Sequence, residues 1–128
     1  MKKTLKVNTI QIEVKPFDES IKEAAKIFRG ISSGKAVKKT KRIVFGDIET
    51  LRTILTPERI RLMHFIRKNN PESIYELAKI TNRQWRAVAN DIEILNNVGL
   101  VRLEKKYTPK EIVKPLVIFN KMSIGVTI

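Results

Sequence analysis

Cysteine is absent from the 128 residues of this chain, and histidine occurs once, at His64. Disulfides, thiolate nucleophiles and the commonest zinc sites are thereby excluded, since each needs cysteine or several histidines. Glycine and proline are sparse at five residues each, too few for a collagen-like or linker-like chain. No apolar run is long enough to act as a signal sequence or to span a bilayer. These absences describe a soluble, cytoplasmic chain with no membrane partner. Acidic residues are the last scarcity: 13 Asp and Glu face 26 Lys and Arg, a formal charge of +13. That surplus exceeds what solubility asks for and makes a polyanion the first partner to consider. Hydrophobic residues, at 42%, suffice for one compact core.

The charge is unevenly spread. Residues 1–46 carry 12 basic and 4 acidic side chains (+8), residues 47–104 carry 9 and 8 (+1), and residues 105–128 carry 5 and 1 (+4). Two runs dominate, Lys35 to Arg42 (KAVKKTKR) and Lys105 to Lys114 (KKYTPKEIVK). Neither has long apolar periodicity, so both read as exposed arms suited to phosphates, or as solvated loops that only keep the chain dispersed. Lys35, Lys38, Lys39, Lys41 and Arg42 make up a basic linker on this view.

Residues 5–14 (LKVNTIQIEV) are rich in β-branched types and are expected as a strand that stops at Pro16. Asp18 can cap a helix whose Ile21, Ala24, Ala25, Phe28 and Ile31 share a face. That stripe is too small for a core of its own, so it must pack on the rest of the chain or on a second copy. Residues 1–46 are therefore expected as a strand-helix dimerisation or interaction segment with a basic linker, and 47–128 as a separate domain. A short strand at Arg42 to Phe45 leads to a helix capped by Asp47 and carrying Ile48, Leu51, Ile54 and Leu55. Thr56 and Pro57 have the N-cap and first-turn positions of a further helix through Ile60, Met63 and Ile66, ended by Asn69-Asn70-Pro71.

Next, Ser73-Ile74-Tyr75-Glu76 has capping-box spacing and opens a short helix through Leu77, Ala78 and Ile80. Thr81, Asn82 and Arg83 interrupt the pattern, and Thr81 with Gln84 can begin a second helix that buries Val88, Ile92 and Leu95 and stops at Gly99. This is the sequence image of a helix-turn-helix unit. Leu100 to Glu104, the basic connection from Lys105 to Lys110, and Ile112-Val113 then read as a β-hairpin with a charged tip, the mark of the winged variant.

The stretch IYELAKITNRQWRAVANDIEILNNVGLVRLE, residues 74–104, resembles prokaryotic MarR-type winged-helix transcriptional regulators. The preceding DIETLRTILTPERIRLMHFIRKNNPESIYEL, residues 47–77, is similar to a subgroup of small archaeal and bacterial regulators with a strand-helix N-terminal segment and a strand-rich end. The likeness covers residues 43–128 and, more loosely, 5–31. It implies an α+β fold, a winged helix-turn-helix domain with an N-terminal strand-helix extension and a C-terminal β-hairpin or strand. It further implies sequence-directed binding of double-stranded DNA, commonly as a homodimer, and no residue pattern calls for a cofactor. Trp85 and Ala87 sit on the variable face of the helix, so no operator sequence carries over.

On the expected recognition helix, 82–97, the buried stripe leaves Arg83, Gln84, Arg86, Ala89 and Asn90 toward solvent. Arg86 can pair with guanine O6 and N7, and Gln84 or Asn90 with adenine. Trp85 is expected at the edge of the core, with contact to a thymine methyl as its functional alternative. Ser73 and Tyr75 can donate to phosphate, although capping by itself accounts for Ser73. Lys105, Lys106, Tyr107 and Lys110 are the candidates on a wing spanning 101–117, adding affinity more than specificity.

Signals for chemistry are weak. Gly30 to Lys35 (GISSGK) is one residue short of the phosphate-loop spacing and has Ala36 in place of the hydroxyl that magnesium needs. His64 has no second histidine to work with, Asp91 and Glu93 point to different helix faces, and no nucleophile stands beside a base. The chain therefore reads as no enzyme. Two further classes compete with a DNA regulator: an antitoxin-like or adaptor protein that binds a protein partner through residues 1–34, and an RNA-binding protein that uses the basic flanks.

Overall fold

The computed structural model describes residues 9–16, 41–107 and 109–128. They form five strands and four helices in the order β1 (Thr9–Val14), β2 (Lys41–Phe45), α1 (Ile48–Ile54), α2 (Pro57–Asn69), α3 (Ile74–Thr81), α4 (Trp85–Val98), β3 (Arg102–Lys106), β4 (Ile112–Leu116) and β5 (Lys121–Val126). The fold class is α+β, as expected. The helix expected from Asp18, the 30–35 stretch and the linker residues Lys35, Lys38 and Lys39 lie outside the described residues, as do residues 5–8 of the first strand. No helix among the described residues is long and apolar enough to cross a membrane.

Two compact units emerge, Met1–Arg52 with Phe119–Ile128, and Thr53–Ile118. In the first, β1 is the middle strand of a parallel three-stranded sheet of order β2-β1-β5. Ile12 lies in register with Ile43 on one side and Ile124 on the other, and such partners share a face of the sheet. Ile10, Ile12, Val14 and Phe45 are buried on that face, whereas Ile124 and Val126 on the edge strand are exposed. The opposite face is polar, with Gln11 Nε2 donating to Glu13 at 3.0 Å.

The sheet revises the sequence reading in two places. Lys41 and Arg42 belong to β2 and not to a free linker, and Arg42 lies 3.7 Å from Glu13 on the neighbouring strand. Pairing with β1 satisfies backbone groups that a loop would leave to water, and Glu13 offsets the arginine charge. The last strand pairs with β1 and so leaves the 47–128 block to which its position in the chain had assigned it. Strand periodicity specifies a face but not a partner.

The second unit holds α2, α3, α4 and the antiparallel ribbon β3-β4. Leu62, Met63, Ile66, Leu77, Ala78, Val88, Ile92, Leu95, Leu100 and Val101 are buried in it. Each large aliphatic side chain among them contributes roughly 1.5–3 kcal/mol by leaving water. Thr56 caps α2 by accepting the Arg59 N–H at 3.2 Å with Pro57 in the first turn, and Asn70 ends it in the left-handed region at φ 47°. Both ends of α2 fall where the residue types place them.

Candidate nucleic-acid interface

The connection from α3 to α4 is built from caps. Ser73 Oγ accepts the Glu76 N–H at 3.0 Å, and the Glu76 carboxylate accepts the Glu72 N–H in return, at 2.6 Å. Asn82 closes α3 in the left-handed region, φ 57°, with Arg83 N–H bonded to the Ala78 carbonyl at 3.0 Å. One expectation fails here. Thr81 does not open α4; it stays in α3 and donates its hydroxyl back to the Leu77 carbonyl at 2.9 Å. Gln84 takes the N-cap position with an extended backbone and makes no side-chain cap bond. The first turn of α4 also lacks an acidic residue, whereas α2 has Glu58 there and α3 has Glu76. The leading end of α4 thus offers backbone N–H groups and no carboxylate to repel an anion.

Asp91 is the residue that sequence reasoning missed. It is buried, and its two oxygens accept from Arg59 Nε of α2 at 3.0 Å and from an Arg83 amino group at 2.9 Å. Arg59 reaches on to the Thr53 carbonyl at 2.7 Å, and Arg83 lies 3.9 Å from Glu58. A carboxylate in this position is stable only with such donors around it. The signal was present: Val88, Asp91, Ile92 and Leu95 fall at i, i+3, i+4 and i+7, which places an acid in the apolar stripe. The network also corrects Arg83, expected among the base readers. It is held against Asp91 because the buried acid needs a second donor, and its side chain is only about a quarter exposed.

Arg86 and Asn90 are exposed on α4, as the stripe requires, and Gln84 is exposed at its N-cap, where the helix end rather than the stripe decides. Trp85 is exposed as well, at 53%, so the core-edge position expected for it does not hold. The core beneath the first turn is filled by Val88, and the indole one residue past the cap lines a groove instead. Tyr75 in the first turn of α3 is 63% exposed. Tyr75 and Trp85 line one groove at the leading ends of α3 and α4.

The ribbon pairs Lys105 with Val113 and Lys106 with Ile112. Lys105, Lys106, Tyr107 and Lys110 are all exposed. Two of these lysines have carboxylate neighbours, Glu111 at 3.9 Å from Lys105 and Glu72 at 3.7 Å from Lys106. Exposed pairs of this length contribute at most about 1 kcal/mol and give way readily to a phosphate. Lys114, counted in the basic run, is not an exposed arm. It is buried, with Nζ donating to Asn70 Oδ1 at 3.1 Å and to the Pro71 carbonyl at 3.0 Å, so that it ties β4 to the α2–α3 turn. A groove of about 370 Å³ opens between the starts of α3 and α4 and the ribbon, with Tyr75, Trp85, Lys110 and Ile112 among its walls. His64 is exposed on α2, and no three His, Asp or Glu side chains among the described residues converge as a metal site requires.

A family model, HVO_A0114, matches residues 54–124, more than half of the chain. The chain belongs to the HVO_A0114 family. In this HVO_A0114-family chain the matched segment takes in the buried Asp91, the exposed start of α4 and the ribbon, and it runs on into β5. No curated protein and no solved structure matches the chain.

Proposed function

We propose that the chain is a sequence-specific, double-stranded DNA-binding regulator of the winged helix-turn-helix type, acting in the cytoplasm as a homodimer. One observation carries the reading: α4 seals its back face with Val88, Ile92 and Leu95 while Gln84 at its N-cap, Trp85 and Arg86 in its first turn and Asn90 in its second stand exposed. A helix of this kind fits the major groove, with Arg86 opposite guanine and Gln84 or Asn90 opposite adenine. Ser73 and Tyr75 at the start of α3 meet the flanking phosphates, and Lys105, Lys106, Tyr107 and Lys110 act as the wing. The formal charge of +13 supplies the non-specific attraction to the backbone. The exposed apolar residues Ile124 and Val126 on the edge strand β5 are suited to meeting a second copy.

Selection of bound fragments from random duplex DNA tests this directly. The expected result is an enriched palindrome with half-sites about one helical turn apart. Recovery of unenriched sequence, or stronger retention on duplex RNA, would refute it. A protein that co-purifies through residues 1–34 would favour the adaptor reading instead.

A further inference from the structure

We propose that β5 is a self-pairing edge: two copies of the chain join through it, antiparallel and centred on Ile124, into one continuous sheet. The pairing rests on the homodimer part of the proposed function for its use, and needs no DNA to form.

Backbone geometry fixes which groups of β5 are free. The Thr127 N–H donates to the Val14 carbonyl at 2.9 Å, and Val14 lies in register with Val126. The N–H and C=O of one strand residue point to the same edge, and successive residues alternate between edges. Lys121, Ser123 and Gly125 therefore turn their backbone groups toward β1, whereas Met122, Ile124 and Val126 turn theirs to the far edge. β5 ends the sheet order, and among the described residues no strand pairs with that far edge. A row of unpaired donors and acceptors of this kind is a template for another strand.

The side chains of the same three residues are apolar. They lie in register with Ile10, Ile12 and Val14 of β1 and so share the apolar face of the sheet. On β1 those positions are buried, but Ile124 is 53% exposed and Val126 52%. Apolar surface thus runs from the core out to an open edge. The two edges differ in charge: β2 begins with Lys41 and Arg42, which guard it against pairing, and β5 has Lys121 alone, at its first position.

Self-complementarity selects a second copy as the occupant. A twofold axis normal to the sheet makes two copies of β5 antiparallel and the interface isologous. Centred on Ile124, that residue faces itself across the axis and Met122 faces Val126 of the second copy, each pair exchanging both backbone bonds. Every outward residue of β5 then meets another, and all are apolar. Lys121 opposes Thr127 and Ser123 opposes Gly125, so no like charges meet. Moving the axis by one residue sets Val126 against Asn120 in one direction and Met122 against Ile128, outside the strand, in the other.

The chain has no cysteine, so a single introduced thiol reports its own distance across the axis. Facing residues of a bonded antiparallel pair are about 5.5 Å apart at Cα, within disulfide range. Mild oxidation of full-length Ile124→Cys should therefore give a cross-linked dimer, and Met122→Cys, about 14 Å from its counterpart, should stay uncoupled. Sedimentation of the wild-type chain without DNA should show a dimer. Ile124→Lys sets like charges face to face at a position whose backbone bonds to β1 are not involved, and should raise the dimer dissociation constant by about tenfold. Circular dichroism checks that each variant keeps its fold. A monomeric wild type, a dimer indifferent to Ile124→Lys, or failure of Ile124→Cys to cross-link better than Met122→Cys would overturn the pairing. All of these measurements are made without DNA. A dimer that selects no DNA sequence keeps the pairing and removes the regulator, whereas a monomer that still enriches a site does the reverse.

Discussion

Arg59 of α2 and Asp91 of α4 are joined by a bond of 3.0 Å between Nε and Oδ1, across 32 positions of sequence. The pair fixes α4 against α2 from inside the second unit, and Arg83 completes it from the turn that precedes α4. The exposed start of α4 therefore inherits its position from a buried carboxylate half a helix away.

Replacing Asp91 by Asn should destabilise the second unit by roughly 2–3 kcal/mol. That is below the 3–5 kcal/mol typical of a fully buried pair, because Arg59 and Arg83 keep partial access to water. Urea unfolding checks the loss. A double-mutant cycle with Arg59→Met should return a coupling energy of about 1–3 kcal/mol. A coupling near zero would mean that the two side chains are independent.

Lys114 is held by the Asn70 side chain and the Pro71 carbonyl, with Glu72 at 3.8 Å. Lys114→Met keeps most of the volume but leaves the Pro71 carbonyl without that donor, at a cost of about 1–3 kcal/mol. The urea midpoint should fall with little change in slope. An exposed lysine of the same ribbon, Lys105→Met, should leave the midpoint within about 0.5 kcal/mol of wild type.

Asp47 caps α1 by accepting the Thr50 N–H at 2.8 Å. That backbone bond, followed by one from the Thr50 hydroxyl, holds its carboxyl below the ordinary carboxylate value. A lowered value in the folded state means that the cap contributes fully above the unfolded value of about 3.9 and is lost as pH falls through the folded one. The Thr50 amide should therefore keep its protection from hydrogen exchange below the ordinary carboxylate range and lose it only as pH falls through the lowered folded value. Asp47→Asn caps without ionising and should abolish this pH dependence.

Arg86 and the ribbon lysines should fail in different ways. Arg86→Ala should lower discrimination at one base pair by about 1–3 kcal/mol and leave random-sequence affinity nearly intact. Lys105→Ala with Lys106→Ala should weaken binding to all sequences and reduce the salt-dependence slope by about 2. Titrations on selected and random duplexes at several salt concentrations separate the two. An equal loss on both duplexes for Arg86→Ala would remove it from base reading.

Local chemistry made much of the fold legible. Thr56-Pro57, Asn70, Ser73 with Glu76, and Gly99 mark helix ends through bonds that involve only their near neighbours, so their positions follow from residue type and spacing. The exposed face of α4 followed from the same periodicity, which is why Arg86 and Asn90 stand where the pattern put them. Thr81 was misread because its hydroxyl had two local options, capping α4 or bonding back to the Leu77 carbonyl, and sequence does not rank them.

What the sequence determined by itself was the order of the elements from β2 to β4, most of the helix caps, the buried stripe of α4 and the excess of positive charge, all consequences of side chains acting within a few residues of one another. Tertiary structure alone decided the partner of β5, the burial of Lys114 and the capture of Arg83 by Asp91. Each of these depends on a group far along the chain, Asn70 and Pro71 for Lys114 and β1 for β5, that supplies a hydrogen bond or charge once folding brings it near. An arginine has the same spelling whether it faces solvent or a buried acid, and only the position of Asp91 in the packed unit distinguishes Arg83 from Arg86.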